Sequence, residues 1–140
     1  MISPYFDLLK AISALPGLSP IARETVILAT GSHYKAVYET YAHERVALAQ
    51  TSLSKEQVNL IKVGKKPLDL SEECEIAFDA AIELSNKPGP LRKEVWEKLE
   101  KQFGRKGGLA LMHYVGLYAY TCVLLNGADV GLPDGEKLME

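Results

Sequence analysis

The chain has 140 residues, 47% of them hydrophobic and 24% charged, which fits one soluble domain with a real core rather than a disordered chain. A formal net charge of −2, from 16 basic and 18 acidic side chains that are interleaved, leaves no basic stripe for a nucleic acid. The cysteines, Cys74 and Cys122, stand far apart with no CxxC or metal-ligand spacing. They suit a reducing cytosol, as small buried hydrophobes.

In chain order, the opening MISPYFDLLK carries an acid early and lacks a basic region ahead of an apolar core. No signal peptide is expected from it, and the expected location is cytoplasmic. Phe6 to Leu15 places apolar residues at helical spacing and closes on Pro16-Gly17. The next segment opens with Ser19 as N-cap and Pro20 at the first helical position, and is expected to end on Gly31. Lys35 to Thr51 follows. Ser54 and Gln57 form a capping-box pattern at the head of a helix that should stop at Gly64. Ser71 starts another, with acids in its first turn that suit the helix dipole. After the break at KPGP, Leu91, Val95, Leu99 and Phe103 lie on one stripe with Trp96 beside it.

The last segment, Leu109 to Asn126, has no Asp, Glu, Lys or Arg. It approaches the length of a membrane span, about 18 to 20 residues. His113, Tyr114, Tyr118, Tyr120, Thr121 and an interior Gly116 make it too polar for one, so no membrane partner is expected. Such a helix belongs in a core or a subunit interface. No alternating strand run of useful length occurs, so the fold class expected is all-α, with about six to seven helices in a single domain, 1–140.

Ionisable groups meet apolar faces in two of these helices. The middle of the second helix, TVILAT, is apolar nearly all round, and Glu24 shares a face with Ile27, Leu28 and Gly31. Glu24 is then either an exposed first-turn acid favoured by the helix dipole or a desolvated carboxylate that needs a partner. In the third helix, wheel geometry lines up Tyr38, Ala42, Val46 and Ala49 as an apolar seam, with Glu39, His43 and Gln50 on the adjacent face. Spacing alone suits Glu39 and His43 to a solvated i,i+4 pair worth about 0.3–0.5 kcal/mol. The flanking Ala36 and Ala47 would instead leave room for a ligand.

No metal site or cofactor is expected. HERVA starts like a zinc-protease motif, but Ala47 stands where the second histidine belongs. A site from His33, His43 and His113 would need three distant segments to converge. No glycine-rich phosphate loop follows a strand.

The stretches ARETVILATG, YETYAHERVALAQTSLSKEQVNLIKVG and VGLYAYTCVLLNGADVGLP, in that order between about Leu18 and Pro133, resemble the carboxymuconolactone decarboxylase family, related to alkylhydroperoxidase D. The resemblance implies an alkylhydroperoxidase D-like helical bundle that assembles into homo-oligomers, trimers or hexamers. The peroxidase branch uses a Cys-x-x-Cys-x-x-x-His motif with an upstream glutamate. Aligned on His43, this chain has Ala36 and Glu39 at the two cysteine positions, and Glu24 at the upstream acid. Thiol peroxidase chemistry is therefore not expected at this site.

In the decarboxylase branch the second cysteine position is commonly a glutamate, as Glu39 is here, while the usual tryptophan after it is Thr40. The resemblance implies a cofactor-free enzyme acting on a small organic acid or lactone by decarboxylation or a related proton transfer. His43 would supply a proton, Glu24 would orient the imidazole, and Glu39 would be a second acid or base. Arg23 or Arg45 would meet a substrate carboxylate, with Tyr38, His33 and Tyr118 as further pocket residues. The other readings are a redox protein of the peroxidase branch and a non-catalytic oligomeric binding protein.

Overall fold

The computed structural model describes residues 2–140. Its six helices are α1 (Ile2–Ser13), α2 (Pro20–Tyr34), α3 (Val37–Gln50), α4 (Lys55–Ile61), α5 (Glu72–Asn86) and α6 (Lys93–Gly127), with no strand among the described residues. The fold is all-α. Three helix starts follow the capping chemistry in the sequence. Ser19 Oγ accepts from Ala22 N and Ser71 Oγ from Cys74 N. Ser54 and Gln57 close the full capping box.

Three helices run differently from the sequence pattern. The first, α1, begins at Ile2 rather than Phe6 and ends at Ser13 rather than Leu15. Gly31 does not end α2; it is buried inside the helix, which continues to Tyr34 and closes on Lys35 in a left-handed conformation (φ 55°). The segments on either side of Phe103 form one element, broken at Gly104, where φ is 71° and ψ 171°. Only glycine adopts that conformation without cost, so the break is fixed by the residue type.

The centre of the molecule is α2. It packs against α3, α5 and α6, and every residue from Glu24 to Gly31 is buried. That is what an all-round apolar helix requires. Val26, Ile27, Ile61, Leu99 and Leu111 are at most 1% exposed. Each contributes about 1.5–3 kcal/mol by leaving water. The turn after α1 is held against α6 by the close approach of Gly17 and Gly107. A Cβ on Gly17 would lie 2.7 Å from the Gly107 backbone.

The second half of α6 is buried on one side only. Ala110, Leu111, Tyr114, Val115, Leu117, Tyr118 and Cys122 face the core, while Leu109, Tyr120, Val123 and Leu124 are exposed. By length and composition α6 could cross a membrane, but so can a core helix of a soluble protein. The apolar seam expected on α3 is also turned round. Ala36, Glu39, Glu44 and Ala47 are the buried positions, whereas Tyr38 and Ala49 are exposed and Ala42 and Val46 half-buried. The expected seam is not the buried face, because the inward acids meet charge partners there, Glu39 at His43 and Glu44 at Lys62.

Candidate active site

Three side chains from two helices meet at the α2–α3 contact. Glu24 lies in the second turn of α2 and is 1% exposed. Its Oε1 is 2.8 Å from Nδ1 of His43, in the middle of α3. One turn earlier on α3, Glu39 Oε1 is 3.1 Å from His43 Nε2. This second contact is close but poorly aligned as a hydrogen bond, so Glu39 Oε1 is a buried carboxylate oxygen with no hydrogen-bond partner. Both ring nitrogens of His43 therefore face carboxylates, and the side chain keeps 16% of its exposure.

Burial by itself would lower the pKa of His43. The hydrogen bond to Glu24, the adjoining Glu39 carboxylate and the charges of both outweigh it and raise the pKa to about 9. The ring is an imidazolium at neutral pH, donating its Nδ1 proton to Glu24 and holding a second proton on Nε2. Glu24 fixes the ring's orientation, so Nε2 is the nitrogen left to exchange a proton. Arg23 Nε stands 3.5 Å from Glu24 Oε2, which brings the local charge close to balance.

α6 closes the cluster from the side. The Tyr118 ring meets His43 edge-on, with centroids 5.1 Å apart and planes at 86°. Burial, reinforced by the charges of Glu39 and Glu24, pushes the Tyr118 hydroxyl well above the usual phenol range, so it stays protonated. Cys122, one turn further on and fully buried, is pushed up to about 12 by burial and by Glu39. A thiolate, the reactive form of a cysteine, is disfavoured there.

Glu24, Glu39, His43, Arg23 and Tyr118 are thus brought together. The remaining candidates are not. Tyr38 is exposed and packs beside Tyr41, with ring centroids 6.1 Å apart. His33 is exposed at the end of α2, where its Nδ1 lies 2.8 Å from Asn86 Oδ1 and ties that end to α5. Arg45 points to the opposite side of α3, over the Tyr41 ring and towards residues 136–137.

Sequence reasoning missed Glu44, which is fully buried and paired with Lys62 at 2.9 Å. Its neighbour His43 belongs to a different cluster, and nothing in the pattern YAHERVA marks Glu44 as the inward acid. Glu83 was also missed. It is buried near the end of α5 and accepts from the Arg92 backbone N–H at 2.9 Å, covering the start of α6. That backbone bond, with the Arg92 guanidinium, holds Glu83 below the usual carboxylate range.

Fold and site together describe an all-helical protein with a buried carboxylate–imidazolium–carboxylate array. A scan against protein-family models finds no match, and a search of curated proteins finds none either.

Proposed function

We propose that the protein is a cofactor-free acid–base enzyme, similar to the carboxymuconolactone decarboxylase family, that acts on a small organic acid or lactone. The observation that carries this reading is the His43 imidazolium held between two buried carboxylates, Glu24 on Nδ1 and Glu39 on Nε2. A largely buried imidazole whose pKa is moved by two specific charge partners is a functional-site candidate with a physical reason.

In a decarboxylation the C–C bond to the carboxylate breaks, CO2 leaves, and the electron pair remains as an enolate. His43 Nε2–H then protonates the carbon, and Glu39 returns a proton from water to the imidazole. Glu24 keeps the ring oriented throughout, and Arg23, 27% exposed, is placed to attract the anionic substrate. The same reading makes the protein a cytoplasmic homo-oligomer, a trimer or hexamer, with neither nucleic acid nor membrane as partner. The exposed apolar residues of α6 and α3 support the assembly part of it.

The test is CO2 release from carboxymuconolactone and from a panel of β-keto and vinylogous acids, alongside deuterium uptake from D2O into their acidic C–H positions. Turnover should be lost in His43→Ala and in Glu24→Gln, with circular dichroism unchanged. Activity at the wild-type level in either folded variant removes the assignment.

A further inference from the structure

Glu44, next to His43 in sequence, faces another side of α3 and belongs to a separate device. It is fully buried and accepts from Lys62 Nζ at 2.9 Å, from Arg45 Nη1 at 3.1 Å, and from the main-chain N–H of Met139 at 2.9 Å. Lys62 Nζ donates in turn to the carbonyl oxygen of the same Met139 at 2.5 Å. One buried ion pair therefore reads both main-chain groups of a single residue that lies 95 positions away from Glu44. Arg45 adds a bond to the Lys137 carbonyl at 3.1 Å.

Beside this pair is an open cavity of about 280 Å³, with Leu138 in its wall beside Val37, Thr40, Lys62 and Val63. Hydrogen bonds to a segment's main chain give affinity whatever its side chains, and an adjoining pocket adds selectivity; peptide-binding proteins combine the two. The approach to the site is unlike the site itself. From Ala128 to Lys137 the chain is non-helical and exposed at every residue except Leu132, so Leu138 and Met139 are held chiefly by the cleft.

We propose that the cleft between α3 and α4 is a binding site for an extended polypeptide segment, and that Lys137–Met139 occupies it as an intramolecular ligand that exchanges with a free segment of the same sequence. Neither the site nor its ligand depends on the acid–base reading of His43. A tethered ligand competes at an effective concentration on the order of millimolar. A free peptide then binds with its affinity reduced by the fraction of molecules whose cleft is open.

The experiment uses the full chain and a fluorescently labelled peptide of sequence Asp134–Glu140. Met139→Pro removes the N–H that Glu44 accepts and so weakens the tethered ligand without altering the cleft. The Met139→Pro chain should bind the wild-type peptide about tenfold or more tighter than the wild-type chain does. A peptide carrying the same proline should bind neither chain. A folded Met139→Pro chain with no saturable binding, or with equal binding of the proline peptide, overturns the proposal. Hydrogen exchange of the Met139 amide in the wild-type chain decides the matter even if that variant does not fold. It should be at least about tenfold slower than in the free peptide, and faster when unlabelled peptide is added at several millimolar, roughly the tethered concentration. An unprotected amide, or one indifferent to added peptide, overturns it.

Discussion

Glu24 Oε1 and His43 Nδ1 stand 2.8 Å apart across two helices, although 19 residues separate them in the chain. With Glu39 on the other ring nitrogen, the contact converts a titratable histidine into a cation with a pKa of about 9. In the unfolded chain the same side chain has its ordinary value of 6.5. Folding therefore favours the protonated form, by about 3 kcal/mol for a shift of this size. The sign follows directly. This stabilisation is fully present below about pH 6.5 and is lost as the pH rises through about 9. Urea denaturation of wild type and His43→Gln at about pH 6 and about pH 10 measures it, with wild type losing about 3 kcal/mol more than the variant.

Removing the second carboxylate separates its contribution. Glu39→Gln should lower the His43 pKa by about one to two units, as expected for loss of one adjacent charge. The change is read from the imidazole resonances in an NMR pH titration. An unchanged titration would show that Glu24 alone sets the charge.

Glu44 has no solvent to fall back on, and Lys62 beside it is only 10% exposed. Glu44→Ala should cost about 3–5 kcal/mol in chemical denaturation, because it leaves Lys62 buried without its partner. The double variant Glu44→Leu with Lys62→Met should recover most of that loss, since both charges are then gone.

At Gly107 a Cβ would lie 2.6 Å from the Gly17 carbonyl oxygen and 2.6 Å from Phe103 Cβ. Gly107→Ala should cost about 1–3 kcal/mol, the usual penalty of overpacking, despite alanine's better helix propensity. Thermal and urea unfolding check it.

Tyr120, Val123 and Leu124 are exposed on the charge-free part of α6. If α6 meets other copies of the chain, Val123→Asp should shift the sedimenting species from an oligomer to the 15.4 kDa monomer. A wild-type chain that sediments as the monomer counts against the assembly.

The sequence by itself determined the helical class and three of the six helix starts. Those depend on local chemistry: Ser19, Ser54 and Ser71 cap their helices through atoms no more than three residues away. It also determined that Glu39 and His43 are neighbours, because a helix places i and i+4 side by side whatever surrounds it. Only the tertiary structure decided that this pair faces inward, that Glu24 reaches His43 while Arg45 does not, and that Glu44 is buried beneath Met139. The direction a helix face takes depends on which partners wait on each side of it. For α3 those partners come from α2, from α4 and from a segment 95 residues away. A buried charge is stable only where such partners converge, and convergence is a property of the packed chain rather than of any window along it.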